Sequence, residues 1–230
     1  MEILLDTVNL EDIKKYESII PLAGVTSNPS IVKNEGKIDF FDHMKKIRRI
    51  IGKECSLHVQ VVATDYDGMI KDAETIIKKI DSEVYIKVPT NEAGIRVIKE
   101  LKKRGMNVTA TAIYTKFQAY LAIAVGADYL APYFNRMENL NINAKVAIQE
   151  IATEINRTNS SSKILAASFK NVAQVNTALE SGAQAVTMGC DILSQAFGIP
   201  SVDKAVTDFT SDWETIFGEG MTIYNYKKVE

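Results

Sequence analysis

The residue in this chain with the most chemical potential is Lys87. It sits in the run Glu83–Val84–Tyr85–Ile86–Lys87–Val88–Pro89, which otherwise reads as a buried β-strand. Burying an ammonium is costly unless it is paired, and the usual response is a lowered pKa. A lysine that is neutral near pH 7 is a nucleophile, and amines attack carbonyls to give Schiff bases. The segment alone equally allows Lys87 to lie at the strand end and reach water. Other polar side chains bear on that choice, because residues two apart on a strand share a face. His58, Gln60 and Val62 oppose Leu57, Val59 and Val61; Tyr85 and Lys87 oppose Val84, Ile86 and Val88. Thr109 and Thr111 oppose Val108 and Ala110, and Tyr129, Ala131 and Tyr133 oppose Leu130 and Pro132. Asp6 ends the first strand-like run, Thr26 and Asn28 the second, and Ser168 the seventh. Strand ends are often polar simply because they meet loops, which accounts for Thr26 and Ser168 taken singly. It accounts less well for Gln60, Lys87 and Tyr133, which follow the alternation. Arg136, just beyond Tyr133, would suit an anionic group beside Ser168, since guanidinium binds phosphate with fixed geometry. The plain alternative is an arginine in a solvated loop.

Short apolar strands alternate with amphipathic helices along the whole chain. The pattern predicts strands near 2–6, 22–26, 56–63, 83–88, 107–112, 128–133, 163–168 and 184–188. It predicts helices near 9–18, 38–52, 65–80, 91–103, 115–125, 143–157, 171–181 and 191–197. In the helix near 65–80, Met69, Ala73, Ile76, Ile77 and Ile80 recur at helical spacing. Gly105, Gly126 and Gly182 stand where helices should stop. Eight β-α units in this length point to a single (β/α)8 TIM barrel of class α/β, with its chemistry at the C-terminal strand ends. Polar faces carrying Gln60, Lys87, Thr111 and Tyr133 would look into the barrel mouth, and the apolar faces would pack on the outer helices. An open doubly wound sheet is the runner-up, but Asp6-Thr7-Val8-Asn9 is not the Gly-rich turn it normally carries. A further helical pattern at 202–217 puts Val202, Ala205, Val206, Phe209, Trp213, Ile216 and Phe217 on one side with no strand to follow. That helix could cap its own barrel or dock on another subunit. The expected organisation is one barrel domain over 1–218 with this extra C-terminal helix, and a mobile tail over 219–230.

The bulk properties narrow the function. The 230 residues are 46% hydrophobic, enough for one large α/β domain or two small ones. A formal charge of −2 gives no electrostatic reason to expect nucleic acid or an anionic membrane as partner. No apolar run approaches the ~20 residues of a membrane span, and the N-terminus reads as a strand rather than a signal peptide. Cys55 and Cys190 lie far apart without metal-like spacing, which suggests a reducing, cytoplasmic setting and inert thiols. His43 and His58 are also far apart and read as structural. A transition-metal site is not expected, nor is any cofactor; carboxylate-held Mg²⁺ is not excluded by these counts.

Six blocks together resemble the small transaldolase family. They are Leu5-Asp6-Thr7, Leu22 through Ser30, Ile86-Lys87-Val88-Pro89, Thr111-Ala112-Ile113-Tyr114, Ala131 through Arg136, and Ala166 through Lys170. The resemblance runs from the first strand to the C-terminal helix, and within the family the chain looks most like the fructose-6-phosphate aldolase branch. Gln60 stands where transaldolases proper place a glutamate. The resemblance implies Lys87 as the Schiff-base lysine and Asp6 beside it in proton handling. It implies that Thr26 and Asn28 bond donor hydroxyls, that Gln60, Thr111 and Tyr133 hold the water that shuttles the proton, and that Arg136 and Ser168 take the acceptor phosphate. It further implies a homo-oligomer of pentameric rings or their decamers. Ser27 and Thr90–Asn91 depart from the commoner residues beside the motifs, which bears on donor preference. The expected activity is a metal-free class I aldolase of carbohydrate metabolism, an aldehyde-lyase. It would reversibly join a small hydroxyketone such as dihydroxyacetone to glyceraldehyde 3-phosphate. The alternatives are a transaldolase moving the same three-carbon unit between sugar phosphates, or a non-catalytic sugar-phosphate-binding barrel.

Overall fold

The computed structural model describes residues 1–226. Eight parallel strands close into a barrel in sequence order: β1 Glu2–Asp6, β2 Leu22–Thr26, β3 Ser56–Gln60, β4 Tyr85–Pro89, β5 Val108–Ile113, β6 Tyr129–Pro132, β7 Lys163–Ala166 and β8 Ala185–Met188, with β8 pairing back onto β1. The connecting helices are α1 Leu10–Glu17, α2 Pro29–Glu35, α3 Phe40–Ile51, α4 Tyr66–Lys79, α5 Glu92–Lys103, α6 Lys116–Ala124, α7 Phe134–Asn139, α8 Ala144–Arg157 and α9 Val172–Glu180, followed by α10 Cys190–Phe197 and α11 Pro200–Phe217. The expected (β/α)8 barrel with a C-terminal helix is therefore the observed architecture. A polar N-cap side chain starts most helices that leave the top of the barrel. Asn9, Asn28, Asp65, Asn91, Thr115 and Asn171 each accept a backbone N–H of the first turn. Gly105, Gly126 and Gly182, with φ of 73°, 82° and 102°, end helices in the left-handed region that glycine tolerates.

The strands divide their side chains as the alternation requires. Leu57, Val59 and Val61, Val84, Ile86 and Val88, and Val108 and Ala110 all enter the core between strands and helices. The opposite faces fill the barrel. Leu4, Tyr129, Leu165 and Ala185 form a separate apolar cluster there, with Tyr85 against it. His58 completes this layer, stacked on Tyr85 at 4.7 Å and edge-on to Tyr129 at 5.2 Å. Two residues further along the same strands come Asp6, Gln60, Lys87, Thr111, Ala131, Ala167 and Thr187. One strand repeat therefore carries the interior from an aromatic and aliphatic plug to a polar mouth.

Two short helices depart from the sequence expectation. α2 follows the Asn28-Pro29 start signal but buries no residue fully, and its two half-buried apolar residues, Ile31 and Val32, are too few to mark a helical period. α7 is only six residues long and begins directly after Tyr133, so Arg136 belongs to a helix rather than to a loop. Several strands also end earlier than expected. Ser168 lies beyond the end of β7 with φ of 63°, and Tyr133 lies just beyond β6, where it forms an isolated bridge with Ala167.

The chain divides into two compact units, Met1–Leu193 and the residues from Ser194 on. In the second unit α11 buries no residue, and Val206, Phe209 and Ile216 are 59%, 70% and 73% exposed. Trp213, Phe217 and Tyr226 pack their rings together, and Tyr226 N donates to Thr222 O at 3.0 Å. The last residues of the tail expected over 219–230, 227–230, lie outside the described residues. Among the described residues no helix is long and apolar enough to cross a membrane.

Candidate active site

β4 brings Lys87 to the centre of the polar layer, opposite Gln60 of β3 in the strand register. The lysine is 5% exposed, and its ammonium donates to the Ser27 carbonyl at 2.8 Å. Ser27 is held in place from β3, where its N–H and hydroxyl both donate to the His58 carbonyl. Burial pushes the Lys87 pKa below its ordinary value, and the Asp6 charge opposes that shift only partly. The site therefore favours the neutral, nucleophilic amine more than water does. Beneath it, His58 bonds the Thr109 hydroxyl at 2.8 Å through Nδ1 and the Ser56 hydroxyl at 2.8 Å through Nε2. Burial and the Lys87 charge hold its pKa well below the usual range, so it is a neutral structural histidine. His43 bonds the Val8 carbonyl at 2.7 Å and plays a similar part between α3 and the first loop.

A cavity of about 100 Å³ opens above Lys87. Asp6, Asn28, Lys87, Tyr133, Arg136, Ser168 and Thr187 supply its polar lining, with Ala131, Leu165 and Ala167. Of the sequence-derived site residues, six thus line one space: Asp6, Asn28, Lys87, Tyr133, Arg136 and Ser168. Thr26 stands behind that wall, fully buried, with its hydroxyl 2.6 Å from Asp6 Oδ1 and 2.7 Å from the Thr187 hydroxyl. Thr111 is likewise buried and reaches the cavity through Tyr133, whose hydroxyl is 3.0 Å away. Gln60 lines a neighbouring, mostly apolar pocket of about 220 Å³ beside Asn28 and Phe40. Its Oε1 is buried and has no partner among the described residues, a rare state for an amide oxygen in a protein interior.

The mouth of the cavity is tightly constrained. Arg136 donates to the Tyr114 hydroxyl at 3.0 Å and lies over the Tyr133 ring at 4.8 Å, with Tyr114 edge-on to Tyr133 at 5.6 Å. Burial raises the Tyr133 pKa, while the Thr111 bond and the Arg136 charge pull it back. Ala112 and Ser168 both hold positive φ, at 56° and 63°. Such backbone costs about 1–3 kcal/mol per residue and persists only where the surroundings enforce it. At Ala112 the enforcement is visible, since the Thr90 hydroxyl reaches the carbonyls of Thr111 and Ala112 at 3.2 and 3.1 Å. At Ser168 the neighbouring carbonyls of Ala167 and Ser168 accept the N–H groups of Phe134 and Asn135. Gln174 adds a side-chain clamp, donating to Asn135 Oδ1 and Glu138 Oε2 and accepting from Lys170 N.

Thr187 and Gln174 were not singled out from the sequence, while Tyr114 was quoted only within a motif and Thr90 only as a departure beside one. For Thr187 a signal existed, because it is the only polar residue in Ala185–Val186–Thr187–Met188 and falls on the inward face. The part of Gln174 depends on α7 and α9 meeting, which no local pattern encodes. Cys55 donates to the Leu22 carbonyl and Cys190 is pushed up to about 12 chiefly by burial, so both are inert thiols. Among the described residues no cluster of three or more His, Cys, Asp or Glu side chains is placed to hold a metal ion.

Comparison with known proteins gives matches over nearly the full length. The family described as "Transaldolase/Fructose-6-phosphate aldolase" matches residues 3–223. A protein of Streptococcus pneumoniae (strain ATCC 700669 / Spain 23F-1) named "Probable fructose-6-phosphate aldolase" is 57% identical over 216 residues, covering 94% of this chain and 97% of that protein.

Proposed function

The chain belongs to the transaldolase/fructose-6-phosphate aldolase family, whose members are aldolase- and transaldolase-type enzymes, and from that premise we propose that it is a class I aldolase. It cleaves fructose 6-phosphate reversibly to dihydroxyacetone and glyceraldehyde 3-phosphate. The observation that carries this reading is Lys87: a buried amine with its charged form disfavoured, on the wall of a small polar cavity.

In this mechanism the Lys87 amine adds to the ketone carbon, and the resulting carbinolamine takes up a proton and loses water to give an iminium. The hydroxyl proton on the carbon beyond the scissile bond passes to a water. The C–C bond breaks, its electron pair enters the iminium to form an enamine, and the aldehyde departs. A proton then returns to the enamine carbon, and hydrolysis frees dihydroxyacetone and the lysine. A general base must lie within direct or one-water reach of the proton it takes. The Tyr133–Thr111 hydroxyl pair would hold such a water at the cavity wall, while Gln60 borders the site from the neighbouring pocket. The cavity has room for about three waters at ~30 Å³ each, which suits a three-carbon donor unit with the phosphate end carried outward to Arg136 and Ser168. A guanidinium there binds and orients the phosphate dianion without entering the chemistry.

A transaldolase would share every step to the enamine and differ in what the enamine meets next. The neutral amide at Gln60 favours the aldolase branch, because it orients water without taking a proton. The test is borohydride reduction with fructose 6-phosphate, followed by mass mapping, and an assay for free dihydroxyacetone without an added aldose. An adduct on Lys87 with free dihydroxyacetone is expected. An adduct but product only with erythrose 4-phosphate would make the enzyme a transaldolase, and no adduct would leave a sugar-phosphate-binding barrel.

A further inference from the structure

The direction of the hydrogen bonds around Asp6 assigns a role to a residue that neither the motifs nor the family match single out. Thr26 has one hydroxyl proton and two close oxygen neighbours, Asp6 Oδ1 at 2.6 Å and Thr187 Oγ1 at 2.7 Å. An ionised carboxylate only accepts, so the Thr26 proton goes to Asp6. Thr187 must then supply the proton of the second bond, because two oxygens do not sit 2.7 Å apart without one between them. Its only proton is thereby committed inward, away from the cavity. Thr187 is 2% exposed and lines the cavity, whereas Thr26 lies behind it. What Thr187 offers a ligand is lone pairs alone.

Asn28 is polarised in the opposite sense. Its Oδ1 accepts from Ser30 N at 2.9 Å and Ile31 N at 3.1 Å as the cap of α2, and only an oxygen can accept both. Its amide NH₂ is left as a donor on the cavity wall. The lining therefore holds fixed acceptors at Asp6 and Thr187, and fixed donors at Asn28 and Arg136. We propose that Thr187 is a specificity-determining residue that accepts a hydrogen bond from a hydroxyl of the donor ketone, so that the site selects hydroxyketones over ketones lacking that hydroxyl. A hydroxyl can donate to Thr187 and still accept from Asn28; a methyl group in its place leaves a buried polar wall unpaired. The inference rests on the aldolase reading above.

The experiment compares full-length wild type, Thr187→Val and Thr187→Ser in the synthesis direction, with glyceraldehyde 3-phosphate as acceptor. The donors are dihydroxyacetone, hydroxyacetone and acetone, which differ by one hydroxyl at each step. Valine keeps the shape and removes the acceptor; serine keeps the acceptor. Thr187→Val is expected to shrink one of the two kcat/KM ratios, dihydroxyacetone to hydroxyacetone or hydroxyacetone to acetone, by about tenfold. Thr187→Ser is expected to restore it. A merely structural role, acting through Thr26 on Asp6, would lower kcat for all donors together and leave both ratios unchanged, and that result overturns the proposal. Borohydride trapping of wild type with dihydroxyacetone separates the two levels. Trapped lysine with unmoved ratios refutes the role of Thr187 alone, whereas no trapped lysine refutes the aldolase reading beneath it.

Discussion

Replacing Lys87 with methionine should abolish imine trapping and make the protein more stable. In the native state the lysine keeps 5% of its exposure, one bond to the Ser27 carbonyl at 2.8 Å and the attraction of Asp6. Burial outweighs that attraction, which is why its pKa is lowered. Burying an ammonium costs several kcal/mol even after relaxation, and a hydrogen bond to a charged group recovers about 1.5–3 kcal/mol. Methionine keeps a long flexible stem and removes the charge, but leaves the Ser27 carbonyl without its partner, at about 1–3 kcal/mol. The net expectation is a gain on the order of 2 kcal/mol, or roughly 5 °C in Tm for a chain of this size. The pH dependence fixes the origin. With the native pKa below the unfolded value of about 10.4, the unfolded chain holds a proton that the native state has released between those two values. Wild-type stability therefore rises with pH across that window, by at most about 1.4 kcal/mol per pH unit. The advantage of Lys87→Met is complete below the native pKa and closes as pH approaches 10.4. Thermal unfolding of both proteins at a series of pH values from 6 to 10.5 measures this difference. A variant less stable than wild type at pH 7, or a difference that does not narrow with rising pH, would refute the claim that the lysine is held against its charge.

Gln60→Glu should raise the ratio of transaldolase to aldolase turnover on fructose 6-phosphate while Lys87 stays trappable, because a carboxylate can take a proton where the amide cannot; rates with and without erythrose 4-phosphate report it. Gln174→Ala should loosen α7 against the loop carrying Ser168. Loss of about 1 kcal/mol of bonding should raise KM for glyceraldehyde 3-phosphate roughly fivefold and leave unphosphorylated glyceraldehyde nearly unaffected, as initial rates would show. Phe209→Asp places a charge in the exposed apolar stripe of α11, and sedimentation should show a smaller assembly than wild type; a monomeric wild type would remove the basis for that expectation.

Much of the fold was legible because the interior and exterior of a barrel strand obey a period of two, and this chain follows it closely. The same rule brought Lys87 and Gln60 to the mouth on neighbouring strands and put Val59, Ile86 and Val88 under the helices. It failed where elements were too short to show a period. α7 has six residues and α2 seven, with only Ile31 and Val32 half-buried, so the helix carrying Arg136 and the helix capped by Asn28 were both missed. Which residues meet at the cavity was largely legible from residue type, but depth was not. Thr26 and Thr187 are both inward threonines, and only the three-dimensional order of Asp6, Thr26 and Thr187 places one behind the other. The Gln174 clamp joins residues 36 and 39 positions apart, a distance that no local pattern spans.

The two interior layers explain how one lysine can be buried and still meet a polar substrate. Below Lys87, Tyr85, Tyr129, Leu4 and Leu165 close the barrel, and neutral His58 satisfies its own nitrogens on Ser56 and Thr109. That floor of aromatic, aliphatic and neutral polar side chains buries the ammonium without a counter-charge of its own, so the charged form is disfavoured from beneath. Above it, one strand repeat further, Asp6 supplies the negative charge that an iminium would need, since the protonated imine keeps a cation where the free amine can dispense with it. The same carboxylate fixes the proton order through Thr26 to Thr187, so charge stabilisation and hydroxyl recognition share one network. Neutralising Asp6 with asparagine should therefore disturb both: an amide can donate to Thr26, which frees the Thr187 proton to turn toward the cavity. Donor selectivity should change along with turnover in Asp6→Asn, as kcat/KM across the three ketones would show. A loss of turnover with donor ratios unchanged would separate the two roles and break the network into independent parts.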